Sequence, residues 1–336
     1  MSEPNKVKIG MISFAHSHGR SYFRELVSMP DVDIVGISDE SRTRVQPILD
    51  SYGIPYFEDY QDLLAMEQLD AVVICSENVH HARITLAAAK AGKHIICEKP
   101  LGTTVEEMKA MIRACEENGV RLMTAFPCRY LPAVVEAKEA VDRGDIGEIV
   151  AIKGTNRGSM PGSWFVDPAL SGGGAVLDHT VHVMDLMRWF LGSEPDRVYA
   201  EMGTLFHELP VEDAGMVHVT FTNGAVAVLD TSWSRSKSFP FWGDVTMEII
   251  GTNGTISVDA FGQKNEVYNN DAGKAQWSHW GDRMDAYMLK DFVRTIKANG
   301  SVPISGDDGM RSAAVALAAY ESVKRKASVA MSEIMG

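Results

Sequence analysis

Long apolar runs are missing from this 336-residue chain. None approaches the roughly 18 consecutive apolar residues that a membrane-spanning helix needs. The opening MSEPNKVKIG carries no apolar signal core, so a cytoplasmic location is expected. Basic charge is scarce as well: 32 Lys and Arg face 45 Asp and Glu, for a formal net charge of -13. A chain of that sign has no electrostatic footprint for phosphate backbones or anionic bilayers, which argues against nucleic acid and membrane partners. The basic run Lys324–Lys326 falls late in a helical pattern, where cations complement the helix dipole. Cysteine is sparse. Cys75, Cys97, Cys115 and Cys128 show no CxxC spacing, and three of them end apolar runs, a pattern of reduced, buried thiols rather than a disulfide framework.

What is present builds a large core. Hydrophobic residues make up 45% of the chain, and the length suggests two domains. Short apolar runs at Val7–Ile12, Ile34–Ser38, Ala71–Cys75, His94–Cys97 and Leu122–Ala125 alternate with helical patterns at about Gly19–Val27, Arg42–Tyr52, Tyr60–Met66, His81–Ala91 and Val105–Asn118. That alternation is how βαβ units of a doubly wound parallel sheet read in sequence. Thr104 followed by Glu107 marks the last helix with a capping box.

The rhythm changes after Phe126. A helix at about Ala133–Arg143 precedes β-rich runs at Ile149–Thr155, Arg197–Gly203, Gly215–Thr222, Ala225–Ser232, Val245–Ile250 and Thr255–Asp259. Asn223-Gly224 and Asn253-Gly254 join neighbouring runs, a hairpin signal that implies an antiparallel sheet. Helices return at Asp282–Ala298 and Asp307–Lys326. The expected fold is α/β, with a dinucleotide-type domain over 1–127, an α+β domain with a large open antiparallel sheet over 128–305, and a C-terminal helix over 306–336 packing back on the body. A hairpin sheet must cover both faces, so association into a homodimer or homotetramer through the open face is expected.

The first candidate site is KIGMISFAHSHGRSY, from Lys8 to Tyr22. A buried strand runs into a small-residue turn and a helix start, the layout of a nucleotide loop, yet the three fingerprint positions read Ser13, Ala15 and His18 rather than glycine. The helix start still offers free N–H groups and a dipole to phosphate. Ser13 can bond within the turn, Ala15 is tolerable at negative φ, His16 can donate to a phosphate oxygen, and His18 is expected to point outward. Asp39, at the tip of the second strand, suits the ribose hydroxyls of NAD and opposes a 2′-phosphate, or it caps the next helix as a turn aspartate. Arg42 and Arg44 lie near enough in sequence to serve NADP instead.

The run AVVICSENVHHARITLAAAKAGKHIICEKPLG, with Ser76-Glu77-Asn78-Val79-His80 and Glu98-Lys99-Pro100, resembles the glucose–fructose oxidoreductase/inositol dehydrogenase (Gfo/Idh/MocA) family. The likeness continues through GDIGEIVAIKG and SGGGAVLDHTVHVMDLMRWFLG and covers nearly the whole chain. It implies an N-terminal Rossmann domain, a C-terminal domain with an open antiparallel sheet, and a cis Lys99–Pro100 bond. It further implies a nicotinamide-dependent oxidoreductase acting on a secondary hydroxyl of a sugar, sugar acid or cyclitol. By this resemblance Lys99, Asp178 and His182 form the catalytic set: His182 removes the hydroxyl proton, Lys99 hydrogen-bonds the same oxygen, and Asp178 binds a neighbouring hydroxyl or orients the lysine. The cofactor, NAD or else NADP, is assigned to Ser13, Phe14, Ala15, His16, Ser17, Asp39, Ser76, Asn78, His80, Glu98 and Lys99.

Histidine suits the base role because its unperturbed pKa lies near neutrality. Asp178 and His182, four apart, share a helix face. Arg129 and Tyr130, where the chain changes domain, and Trp164 are assigned to the substrate pocket. His179 is read as a polar pocket wall or a packed helix-face residue. Asp178, His179, His182 and Cys128 could be drawn as a metal site, but neighbouring helix residues diverge, so no metal is expected. Two other functions share the resemblance: an NAD-dependent glycosidase or lyase using transient oxidation, and a regulator that binds nucleotide without turnover.

Overall fold

The computed structural model describes residues 6–281 and 283–336. The first residues of the segment lacking a signal core, 1–5, lie outside the described residues, as does Asp282. Two compact units emerge, one from the chain up to Phe126 with Asp285–Met310, the other from Pro127–Met284 with Arg311–Gly336.

In the first unit, β1 (Val7–Ile12), α1 (His18–Val27), β2 (Val32–Ser38), α2 (Arg42–Tyr52), β3 (Tyr56–Phe57), α3 (Tyr60–Leu64), β4 (Ala71–Ile74), α4 (His81–Lys90), β5 (His94–Cys97), α5 (Val105–Glu117) and β6 (Leu122–Thr124) follow one another. The six strands pair in parallel in the order β3-β2-β1-β4-β5-β6. Strand order therefore reverses between β1 and β4, where doubly wound sheets place ligands. The core strands read as continuous apolar runs because helices cover both faces; Ile9, Met11, Val72 and Ile96 are all buried. The two-residue β3 is too short to give a sequence pattern. Thr104 accepts from the Glu107 N–H at 3.2 Å, whereas the Glu107 carboxylate takes the Thr103 hydroxyl instead of closing the box.

Residues 285–310 cluster with this unit, whereas the sequence reading places 285–305 in the second domain and 306–310 in the C-terminal helix. The reason lies at the edge strand. The Thr124 N–H donates to the Ile304 carbonyl and the Thr124 hydroxyl to that of Ser305, so this segment covers an otherwise open β6.

The second unit contains α6 (Pro132–Asp142), β7 (Ile149–Arg157), α7 (Pro168–Ser171), α8 (Ala175–Leu191), β8 (Pro195–Gly203), β9 (Ala214–Phe221), β10 (Val226–Ser232), β11 (Thr246–Gly251), β12 (Thr255–Asp259), β13 (Lys264–Val267) and β14 (Gln276–His279). After α9 (Met284–Ala298) and α10 (Gly306–Arg325), the chain ends in β15 (Val329–Ala330) and α11 (Met331–Met335). Seven strands form a sheet in the order β12-β11-β7-β10-β9-β8-β15. Both Asn-Gly pairs make their hairpins, β9–β10 and β11–β12.

The sheet is not wholly antiparallel. β7 and β10 run parallel, because α8 and two further strands intervene before the chain returns beside β7. The tail beyond α10 does not stay helical; β15 extends the sheet beside β8. Ile152, Gly154 and Asn156 of β7 and Ala227, Leu229 and Thr231 of β10 are buried on the α8 side. Gly154 is needed there: a Cβ would stand 2.7 Å from Met187 and 2.8 Å from Val183. The other face exposes Val150, Met216, Val226 and Ile250. No helix among the described residues is long and apolar enough to cross a membrane.

Candidate active site

Two clusters of functional side chains form, one in each unit. The first surrounds the loop between β1 and α1. Ser13 holds φ at 65°, the left-handed region where a glycine is the usual solution. Its hydroxyl accepts from the Ala15 N–H at 3.2 Å and donates to Glu40 at 3.3 Å, local bonds that offset the strained backbone. Asp39 is buried and braces the same loop: Oδ2 accepts from the Phe14 N–H at 2.7 Å and Oδ1 from the Ser41 N–H at 2.8 Å. Burial pushes its pKa up, opposed by these bonds and by Arg44. Asp39 thus staples the loop to the second strand as well as lining a cleft of about 660 Å³ with Glu40, Glu58, Asp59, Asp62, Ser76, Glu77, His80 and Arg83.

That acceptor-rich lining fits the adenosine half of NAD. Carboxylates accept from ribose hydroxyls and oppose a 2′-phosphate, and Arg44 is engaged by Glu40 and Asp39 while Arg42 lies over the Tyr56 ring. Ser17, exposed, is the α1 N-cap and makes no side-chain cap bond. Gly19 takes over the packing role of the missing third glycine, since a Cβ there would lie 3.3 Å from the Phe14 Cα and the Cys75 Cβ.

His18 does not point outward. Its Nδ1–H donates to Glu98 Oε1 at 2.9 Å, because a half-buried imidazole at this position finds a fully buried carboxylate at the end of β5, on the far side of β4. Burial lowers the His18 pKa, but Glu98 outweighs it and the net direction is up. Burial likewise raises Glu98, yet His18, His16 and Lys99 hold it well below the usual carboxylate range. The backbone N–H of buried Lys99 donates to Glu98 Oε2 at 3.1 Å, and the Lys99–Pro100 bond is cis.

Among the described residues, His16, His18 and Glu98 are the one group spaced closely enough to hold a cation. His16 Nδ1 is already accepting the His18 N–H at 3.1 Å, which places the proton of the neutral ring on Nε2. Sequence reading passed over His81. It is fully buried beside the Lys99–Pro100 turn, with Nδ1 2.9 Å from the Pro100 carbonyl and Nε2 3.2 Å from that of Ser76. Burial lowers its pKa, and the one N–H of a neutral ring, given to the nearer carbonyl of Pro100, ties the turn to α4. The adjacent His80, singled out in the sequence, lines the cleft instead, and Asn78 is buried beside it.

The second cluster sits on the first turns of α8, and each glycine of the triplet before it has a reason. Gly172, at φ 76°, ends α7. A Cβ on Gly173 would lie 2.2 Å from the Tyr320 hydroxyl, and one on Gly174 2.0 Å from the Glu212 carbonyl oxygen. Glu212 enters this gap as the anion that the helix start requires: Oε1 accepts from Gly174 N–H and Val176 N–H at 3.0 Å each and from the Tyr320 hydroxyl at 2.7 Å.

Asp178 follows one turn later. The indole N–H of fully buried Trp233 donates to its Oδ2 at 3.2 Å. His179 closes on the same oxygen, with Nε2 3.3 Å away, while its Nδ1–H donates to the Asn156 carbonyl at 2.9 Å. The expected divergence of neighbouring helix residues is overcome because Asn156 holds the ring back across the turn. His182, buried, has Nδ1 3.9 Å from Cys128 Sγ. Asp178 and His182 therefore do share a face.

The residues assigned to the substrate pocket all belong to the second unit. Arg129 directs Nε and Nη2 to Asp185 at 2.7 and 2.6 Å and lies over the Trp189 ring, a pair that fixes one turn of α8. Tyr130 is half-buried next to it. Trp164 is buried and stacked on Phe165. Trp242, read from sequence as core or interface, is partly exposed and stands edge-on to His179 with centroids 6.3 Å apart.

Comparison with known proteins fits both units. Residues 7–126 match the family model described as an oxidoreductase family with an NAD-binding Rossmann fold, and residues 134–257 match the GFO/IDH/MocA C-terminal domain. The chain is 32% identical over 317 residues to an uncharacterized oxidoreductase, YrbE, of Bacillus subtilis (strain 168), covering 91% of each chain. It is 29% identical over 341 residues to the myo-inositol 2-dehydrogenase of Thermotoga maritima, covering 98% of this chain and 100% of that one. A crystal structure of GenD2 from gentamicin A biosynthesis in complex with NAD superimposes with a TM-score of 0.90 at 26% identity, covering 98% and 97%.

Proposed function

The chain belongs to the Gfo/Idh/MocA oxidoreductase family, and from that premise we propose that it oxidises a secondary hydroxyl of a sugar, sugar acid or cyclitol, or reduces the ketone, with NAD. One observation carries the reading: Asp178 and His182, both buried, present a carboxylate and an imidazole on one face at the start of α8. When bound, NAD supplies the hydride acceptor. The chain's own residues handle position and protons. His182 takes the hydroxyl proton, Asp178 accepts a hydrogen bond from the neighbouring hydroxyl, and Lys99 donates to the reacting oxygen. Asp39 and Glu40 receive ribose hydroxyls, Ser76, Asn78 and His80 border the cofactor, and the loop from Ser13 to Ser17 meets the phosphates at the α1 N-terminus. Trp164, Tyr130 and Arg129 are assigned to shaping the substrate side.

The second unit serves substrate binding and association. Its exposed sheet face, with Val150, Met216, Val226 and Ile250, is the surface through which a homodimer or homotetramer forms. Four free, buried cysteines suit a reducing cytoplasm. The test is a panel of polyols and sugars with NAD and NADP, read by the formation of the reduced nicotinamide. Net accumulation of NADH supports the dehydrogenase. Product without net NADH supports the glycosidase or lyase reading. Lys99→Met should abolish turnover while NAD still binds, and a variant of wild-type rate would remove the lysine from the mechanism.

A further inference from the structure

Among the described residues β13 and β14 pair only with each other, in a hairpin bordered by Gly262 and by Gly281 at φ 75°. Alternation along β14 turns Trp277 and His279 to one face, and that face meets rings. Trp277 stands edge-on to Phe239 with centroids 5.1 Å apart, and His279 lies 4.1 Å from Phe241 and 6.3 Å from Phe261. Phe241 and Phe261 in turn meet Trp242, at 5.9 and 5.6 Å, and Trp242 stands edge-on to His179 beside Asp178. An aromatic layer thus leads from the hairpin to the start of α8. Within it, Trp277 Nε1 and both ring nitrogens of His279 are buried with no hydrogen-bond partner in the chain. The indole N–H can only donate, and one imidazole nitrogen is a donor in either tautomer. Two unmatched buried donors disfavour the closed arrangement, and a two-stranded hairpin has little stability of its own to hold it.

We propose that the β13–β14 hairpin is a lid that opens and recloses over a neutral, hydroxyl-rich ring, and that Trp277 Nε1–H and one His279 N–H then donate to its oxygens. The two bordering glycines absorb the hinge motion. The contact that opens is Phe241 with His279. The ligand takes that layer, its C–H face on the aromatic rings and its hydroxyls toward the two donors. Cations at the edge of the lid are already matched, so a neutral ligand fits it and an acid gains no free charge. Lys264, 4.5 Å over the Trp277 ring, has Glu266 at 3.7 Å and Asp259 at 4.0 Å. Arg235, 4.1 Å over the Phe239 ring, is held by Asp244, and Arg157, which shares Asp244, also reaches Asp230 at 4.0 Å. The lid rests on the dehydrogenase reading only for identifying the covered molecule as the substrate. It names Trp277 and His279 as residues that sort substrates, favouring neutral sugars and cyclitols over sugar acids.

Hydrogen exchange reads the lid without turnover. In the full chain with NAD, the amides of 264–279 should exchange faster than those of the β11–β12 hairpin and slow several-fold when a neutral polyol or sugar of the panel is added. Protection by none of the compounds, or by sugar acids alone, overturns the proposal. Trp277→Phe keeps a ring against Phe239 and removes the donor. With the best-oxidised compound its KM should rise about three- to tenfold, the scale of one hydrogen bond, while the Kd for NAD holds; His279→Phe should act in the same direction. An unchanged KM in Trp277→Phe would also overturn the lid. A neutral compound that protects 264–279 yet is not oxidised would sink the dehydrogenase reading and leave the lid standing. Oxidation without protection would do the reverse.

Discussion

His18 Nδ1 lies 2.9 Å from Glu98 Oε1, so the position of the third fingerprint glycine carries one half of an ion pair reaching the residue before Lys99. The two groups titrate in opposite directions. His18 has a raised folded pKa, so its contribution is fully present below the unfolded value of 6.5 and is lost as pH rises through the folded one. Glu98 has a depressed folded pKa, so its contribution is present above the unfolded value of 4.5 and is lost as pH falls through the folded one. Stabilisation is therefore greatest between those unfolded values. The stability difference between wild type and His18→Gln, from denaturant melts, should be on the order of 1 kcal/mol near pH 5.5 and shrink by pH 9. An equal difference at both pH values would mean the pair is not ionic.

Glu212 should matter more to α8 than any residue within it. Glu212→Ala leaves the N–H groups of Gly174 and Val176 without their carboxylate and removes the acceptor of Tyr320. A loss of about 1–3 kcal/mol is expected, and less for Tyr320→Phe, which removes only one donor. Because Asp178 rides on the same turn, kcat should fall in Glu212→Ala although the residue touches no substrate. Thermal melts and steady-state rates on both variants check this, and a Tyr320→Phe loss exceeding that of Glu212→Ala would contradict the assigned order.

Gly19, rather than position 18, sets the helix–strand distance. Gly19→Ala would press a methyl to 3.3 Å from the Phe14 Cα and Cys75 Cβ, neighbours that move only with the loop. About 1–3 kcal/mol of stability should be lost, together with NAD affinity. Ala15→Gly should leave NAD binding equal or tighter, since Ala15 already sits in the loop without left-handed φ. Melting curves and calorimetric titration of both variants would test the pair, and a neutral Gly19→Ala would remove Gly19 from this role.

Most of the architecture was open to reading because its determinants are local. Periodicity gave β1, β5 and β12 to the residue, and the Asn-Gly turns gave both hairpins. The parallel β7–β10 pair was hidden, since neighbours in a sheet are chosen by long-range packing that strand patterns do not encode. Much the same divides the site. Lys99, Asp178 and His182 stand in recognisable motifs, whereas Glu212, Trp233 and Asn156 reach α8 from elements distant in sequence, contacts that tertiary packing decides and local pattern does not. His81 left a faint signal in the His80-His81 pair. At Arg129 sequence reads a charged residue at a domain junction, while the buried Asp185 on α8 that takes two of its donors was not legible.

Asp39 offers the sharpest test of the nucleotide loop. Sequence leaves its carboxylate either on the ribose or capping the next helix, and on the ribose reading Asp39→Ser should turn preference toward NADP. In the structure the carboxylate also accepts the Phe14 N–H at 2.7 Å and the Ser41 N–H at 2.8 Å. Removing it unfastens the loop that meets the phosphates, a cost that falls on NAD and NADP alike. The gain for a 2′-phosphate is small, because Glu40, Glu58, Asp59, Asp62 and Glu77 still line the cleft and Arg44 stays paired with Glu40. NAD affinity should therefore drop roughly tenfold, the scale of one charge-assisted hydrogen bond. NADP should not improve, because the same cost outweighs its small gain. Adding Glu40→Ala to free Arg44 should then strengthen NADP binding where the single variant does not. Calorimetric Kd values for both nucleotides on wild type, Asp39→Ser and the double variant would settle it. A clean reversal of preference by Asp39→Ser alone, with NAD binding otherwise intact, would show that the carboxylate reads the ribose and that its bonds to the loop are dispensable.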